Sequence, residues 1–310
     1  MEVLSAAGED ATKPPLVFVH GAGHGAWCWA ERFMPYFSAA GYECHAVSLR
    51  GQGRSEPVDQ PGTLALHAGD LSAFLSTLRA PPVMVGHSFG GLISMYYARE
   101  SAKAGAGDAG GKYRPVRRGP DPHTHPHAAG PPPARLGRDG PAPHPPPPPR
   151  RGLALLGSAP PTGNAQMILR FLKRDVVESV LITYWFIART WAKDPKVCRR
   201  MFFSEDLPEE DLMRYFGPLS EYLGRPNVVD VRTLSAEASE KKPIGRPPFP
   251  LDVFVLGGDG DKVVDEVGVR ETAAYYGAEP VVVPGMAHDV MLDTKWETAA
   301  ERMAAWLGGL

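Results

Sequence analysis

Short apolar runs and longer stretches of helical periodicity alternate along this chain. Leu16 to Val19, Tyr42 to Leu49, Val83 to Val85, Gly152 to Leu156, Leu251 to Leu256 and Pro280 to Val283 are apolar for most of their length. Runs this short, bounded by Gly, Pro and polar clusters, predict strands buried on both faces. Between them, apolar residues recur at helical spacing. Trp27, Phe33, Met34 and Phe37 predict a helix that stops at Gly41. Leu64, Leu71, Phe74, Leu75 and Leu78 predict a second helix from about Thr63 to Arg79, ended by Pro81-Pro82. Further helices are expected after Ser88, over Asp265 to Tyr276, and at the end of the chain on Leu292, Trp296, Ala299, Met303 and Trp306. Strands alternating with helices of this length predict a mostly parallel sheet of about six strands, flanked by helices.

Two stretches break the alternation. From Lys103 to Arg151 large apolar residues nearly vanish, and 14 of the 33 prolines fall there, ending in Pro145 to Pro149 and Arg150-Arg151. Such a segment has too little apolar surface to offset its ordering entropy, so residues 103–151 are expected to be a Pro/Gly-rich disordered insertion. Its Pro145–Arg151 end has the composition of an SH3-type ligand, and His123, His125 and His127 are expected to be solvated rather than metal-bound. The second stretch, residues 159–249, contains helical patterns and no bounded strand run. Val177, Leu181, Tyr184, Ala188 and Trp191 form one such stripe, and Pro208 with Glu209, Glu210 and Asp211 marks a helix start. This block is expected to be a helical cap over the strand ends. Its aromatics (Tyr184, Trp185, Trp191, Phe202, Phe203, Tyr215 and Phe216) are expected mostly to pack the cap. Residues 14–102 and 152–310 then make one domain.

Charge and cysteine content narrow the function classes. A net charge of -2 gives no basic footprint for nucleic acid. Cys28, Cys44 and Cys198 are widely spaced and form no disulfide or metal-ligand pattern. They suggest a reducing, cytoplasmic setting. Residues 1–15 show no signal or transit pattern, and Val180 to Ala188, the longest apolar run, is too short to span a bilayer.

The chemistry centres on Gly86-His87-Ser88-Phe89-Gly90. A predicted strand precedes this Gly-x-Ser-x-Gly motif and a helical pattern follows, the strand–turn–helix context of a nucleophile elbow. Gly86 and Gly90 make room for the sharp turn, and the Phe89 N–H falls at a helix N-terminus, where developing negative charge is stabilised. Ser88, Asp261 and His288 each follow a predicted strand of the same parallel sheet, so all three fall at its carboxyl edge, where ligands of such sheets bind. A serine hydroxyl needs an imidazole to take its proton, and the imidazole needs a carboxylate to fix its tautomer. His45 and His67 are expected to be structural, His24 to reach the pocket mouth, and His87 to pack under the sheet edge. Asp289 is too close in sequence to His288 to orient it.

With these motifs the chain resembles the serine-dependent α/β-hydrolases over all but the insertion. The resemblance implies an α/β-hydrolase fold with an inserted helical cap and a catalytic triad of Ser88, Asp261 and His288. The acid of that family sits in a Gly-x-x-Asp-x-x-Val frame, matched by Gly258, Asp261 and Val264, with Asp259 as the rival. The His20-Gly21 pair resembles the family's oxyanion loop, which implies that the Ala22 N–H joins that of Phe89. No metal or organic cofactor is implied. The implied partner is a small-molecule, apolar ester. His20 to Trp29 is similar to the plant methylesterase and hydroxynitrile lyase group. The lyases carry threonine in place of Gly21 and lysine in place of Asp289, which argues against cyanohydrin cleavage. Arg50 to Ser55 departs from the methylesterases. A hydrolase-like ligand receptor with little turnover, and a scaffold acting through the proline tract, are the alternatives from other classes.

Overall fold

The computed structural model describes residues 1–107, 152–163, 165–228 and 251–310. Seven strands form one sheet: β1 (Val3–Ala6), β2 (Leu16–Val19), β3 (Cys44–Val47), β4 (Val83–His87), β5 (Gly152–Leu156), β6 (Asp252–Gly258) and β7 (Pro280–Val283). Their order is β1-β3-β2-β4-β5-β6-β7. Every neighbouring pair is parallel except β1 with β3, where Val3 faces Val47 and Ala6 faces Cys44. The sheet thus has one strand more than the apolar runs indicate. β1 escapes them because it is a four-residue edge strand with an exposed Ser5 in its middle and no fully buried residue.

The inner strands β2, β4 and β5 are buried at every residue. Side chains alternate across the sheet. Leu16 and Phe18 enter one core with Trp29, Phe33 and Phe37, while Val17 and Val19 enter the other with Leu71, Leu75 and Ile93. The first core is covered by α1 (Trp27–Ala30), α2 (Phe33–Ala39) and the last helix, α10 (Trp296–Leu307); the second by α3 (Leu64–Leu75), α4 (Phe89–Gly107) and α9 (Glu266–Tyr276). The helix expected over Trp27 to Phe37 is broken in two at Glu31-Arg32. Pro35 explains the break. In a continuous helix its ring would clash with the carbonyl of Glu31 and leave that carbonyl without a donor, so a new helix starts just before it.

Between β5 and β6 lie α5 (Ala165–Arg174), α6 (Val176–Ile187), α7 (Pro195–Phe202) and α8 (Glu209–Ser220), with 3₁₀ turns at Thr190–Ala192 and Glu221–Gly224. Side chains of Asp175 and Asp194 accept from backbone N–H groups of Glu178 and Lys196 and so start α6 and α7. The expected helical stripe is split. Trp191 is buried, whereas Val177 and Tyr184 are 70 % and 60 % exposed. Helix α4 continues to Gly107, past the start assigned to the insertion. The rest of that stretch, including His123, His125, His127 and Pro145–Arg151, lies outside the described residues, as do 229–250 of the expected cap. No helix among the described residues is long and apolar enough to cross a membrane.

Candidate active site

Ser88 stands between β4 and α4 with φ of 51°, a left-handed conformation that a serine adopts only at a cost. The turn is held by Ser88 N donating to Leu156 O (3.1 Å) and Gly91 N donating to Ser88 O (3.0 Å). Small residues are obligatory beside it. A Cβ on Gly90 would lie 2.3 Å from Val19 O, and one on Gly86 would lie 2.6 Å from Gly91 Cα. Phe89 is the first residue of the long helix α4, so its N–H lies at the positive end of that helix.

The loops after β6 and β7 bring two more groups to Ser88. His288 Nε2 is 3.1 Å from Ser88 Oγ, and His288 Nδ1 is 2.8 Å from Asp261 Oδ2. The other oxygen, Asp261 Oδ1, accepts from the N–H groups of Val263 (2.7 Å) and Val264 (2.8 Å), which fixes the carboxylate with its second oxygen towards the imidazole. The structure therefore turns Asp261, not Asp259, to His288. Asp259 Oδ1 instead accepts from Gly285 N. All three groups are buried. Burial by itself pulls the His288 pKa down, but the Asp261 charge and hydrogen bond, with the Asp289 charge behind them, outweigh it and hold the imidazole above its usual value of 6.5.

The loop after β2 lies across the site. His20 Nδ1 donates to Gly21 O (2.7 Å) and His20 Nε2 accepts from Leu49 N (2.9 Å), so the ring is neutral and ties this loop to the end of β3. Burial lowers its pKa to about 3. At Gly21 a Cβ would lie 2.8 Å from Ser88 Cβ and 3.0 Å from His87 Nδ1. The threonine of the lyases would not fit there without moving the nucleophile. Ala22 and Gly23 follow, and Trp191 from the cap presses on Gly23 so closely that a Cβ there would lie 2.4 Å from its ring. Phe202, at the end of α7, packs 6.1 Å from the His288 ring and 6.2 Å from that of His24. Two cap aromatics therefore wall the site.

His87 is buried, as a residue packed under the sheet edge should be, and His24, expected at the pocket mouth, is buried as well. His87 Nε2 donates to His288 O (2.9 Å). His24 bonds Asp289 and the Ala22 carbonyl, a cross-link the sequence pattern does not announce. The Asp289 carboxylate bonds His24, while the His288 ring is oriented by Asp261. Among the described residues, His87, His288 and Asp289 have ligand atoms within 4.8 Å of one another. Both His288 nitrogens are already engaged by Asp261 and Ser88, which leaves that group poorly suited to hold a metal.

The model of the alpha/beta hydrolase family matches residues 16–306. Norfluorocurarine synthase 1 of Strychnos nux-vomica is 38 % identical over 81 residues, which is 24 % of this chain and 29 % of that protein. Methylesterase 1 of Arabidopsis thaliana is 36 % identical over 88 residues, 27 % of this chain and 33 % of that protein. The aligned part therefore spans about a third or less of these curated relatives. A bromoperoxidase structure from Bacillus anthracis superposes with a TM-score of 0.62 at 16 % identity, covering 99 % of this chain and 94 % of that one, which bears on the fold alone.

Proposed function

The chain belongs to the alpha/beta hydrolase family, and from that premise we propose that it is a serine carboxylesterase working through an acyl-enzyme. The observation that carries this reading is the buried hydrogen-bonded series Ser88 Oγ, His288 Nε2, His288 Nδ1, Asp261 Oδ2, with separations of 3.1 and 2.8 Å. Ser88 Oγ attacks the ester carbonyl carbon as His288 takes its proton. The carbonyl oxygen becomes an oxyanion held by the N–H groups of Phe89 and Ala22. Collapse expels the alcohol, which receives the proton from His288. Water, deprotonated by the same imidazole, then attacks the acyl carbon, and Ser88 leaves with the proton returned. No step in this sequence calls for a cofactor. Trp191 and Phe202 in the wall, and a nucleophile only 5 % exposed, favour a small apolar ester. Cys28, Cys44 and Cys198 are buried and unpaired, which fits a reducing compartment such as the cytoplasm.

Labelling with a fluorophosphonate probe tests the proposal. Wild type is expected to label, and Ser88→Ala and His288→Ala to lose the label. A folded wild type that stays unlabelled, yet is thermally stabilised by small apolar esters without turning them over, would replace the esterase with the ligand-receptor alternative.

A further inference from the structure

Behind the proposed catalytic groups lies a second, fully buried pair. His24 Nε2 is 2.9 Å from Asp289 Oδ2, with side chains 1 % and 0 % exposed. The other ring nitrogen, His24 Nδ1, is 2.8 Å from the carbonyl oxygen of Ala22. A carbonyl oxygen only accepts, and so does an ionised carboxylate. Both ring nitrogens of His24 must then donate, which makes the ring an imidazolium. A neutral ring would turn a lone pair towards one of these oxygens. The Trp27 indole stacks on the His24 ring at 5.7 Å and 16°, an arrangement that favours a cation.

We infer that His24 is held as an imidazolium in a buried ion pair with Asp289, and that this pair is a positioning brace for the oxyanion loop. The brace fixes the Ala22 carbonyl to the residue that follows His288. Through the Ala22 backbone it sets the N–H that the proposed function assigns to the oxyanion, and in that respect it rests on that reading. The base loop is itself pinned to the cap, because Asp289 N donates to Phe202 O (2.9 Å). His87 adds a parallel tie from the residue before Ser88 to His288 O. Oxyanion loop, nucleophile, base and cap are thereby cross-linked independently of the triad.

The groups facing the pair are consistent with this charge assignment. His20 and His87 are kept neutral by burial, each with a pKa lowered to about 3. The thiols of Cys28 and Cys198 are pushed up by burial and by Asp289. Burial would raise the Asp289 pKa, but the charge and hydrogen bond of His24 outweigh it and bring it below the ordinary carboxylate value. His288 faces the other side and is already bonded to Asp261. An imidazolium at His24 and a carboxylate at Asp289 leave the pair itself without net charge.

The experiment is ring-nitrogen NMR of the full chain with ¹⁵N-histidine at neutral pH, alongside the rate of fluorophosphonate labelling and the steady-state constants. In wild type, both His24 nitrogens are expected to be protonated. In Asp289→Asn the ring is expected to become neutral. Labelling and kcat should then fall about tenfold with KM little changed, less than the 10²–10³ lost on removing an oxyanion donor outright. His24→Asn, whose amide can still donate to the Ala22 carbonyl but cannot reach Asp289, is expected to lose a similar factor. A bare nitrogen on His24 in wild type overturns the ion pair, even if Asp289→Asn fails to fold. Unchanged kcat in both variants overturns the brace. A wild type with the imidazolium but no labelling leaves the ion pair standing and removes the esterase reading instead.

Discussion

The sheet and its cap are both rich in apolar residues, yet they use them differently. Along β2, β4 and β5 every side chain is buried, and the ends of β2 and β4 carry the oxyanion loop and Ser88 to the site. On α6, by contrast, Val176, Val177, Val180, Leu181, Tyr184 and Ile187 face outward, and Ile168, Leu169 and Leu172 of α5 do the same. A strand buried on both faces has only one place to be, the sheet interior. A helical stripe says that one face is apolar, but not what covers it. Position is therefore well determined in the sheet and weakly determined in the outer cap helices. The inner cap, with Trp191, Phe202, Phe203 and Tyr215 buried, is closer to the sheet in this respect.

Substitutions sharpen this contrast. The largest effect is expected at the sheet edge, where Asp261→Asn should lower kcat by about 10⁴ through loss of the correct His288 tautomer. Asp259→Asn, which touches only Gly285 N, should leave kcat within a few-fold; a loss like that of Asp261→Asn would move the orienting role to Asp259. Within the core, Leu155→Ala on β5 should cost about 2–5 kcal/mol of unfolding free energy in denaturant titrations. Val177→Ser on α6 should change the same quantity by less than about 0.5 kcal/mol. A large loss at Val177 would mean that the outer face is covered in solution, and the contrast between the two regions would fail.

Acidity offers another handle on the sheet edge. His20 and His87 are buried neutral with pKa values near 3, against 6.5 when unfolded. The unfolded chain binds more protons in that window, so stability is fully present above pH 6.5 and is lost as pH falls towards 3, by about 1.4 kcal/mol per pH unit for each ring. Thermal midpoints measured from pH 7 down to pH 5 should fall accordingly. His288 behaves in the opposite sense. Its raised pKa means that the imidazole base is lost to protonation at a pH above 6.5, so kcat/KM should fall with acidity before the His20 and His87 rings take up protons.

Much of the site is legible in the sequence, because its chemistry sits on strand ends that the apolar runs locate. Gly86-His87-Ser88-Phe89-Gly90, the Gly258–Val264 frame and His288 are all local patterns tied to a predicted strand. What the sequence leaves open is either short, non-local or one-sided. β1 has too few buried residues to stand out. The choice between Asp259 and Asp261 rests on two backbone N–H groups that turn one oxygen of Asp261 towards the imidazole. The His24–Asp289 pair joins residues 265 positions apart and has no motif of its own. Nor does periodicity distinguish Trp191, pressed on the oxyanion loop, from Tyr184, exposed on the outside.

The central claim is that Ser88 is an activated nucleophile that carries the acyl group. Rapid-quench intact mass spectrometry with an activated apolar ester tests it most directly. The account predicts a transient mass gain of one acyl group on the Ser88 peptide, formed in a burst, and absent from Ser88→Ala. Ester hydrolysis that continues in Ser88→Ala at the wild-type rate, with no adduct in either protein, would contradict it.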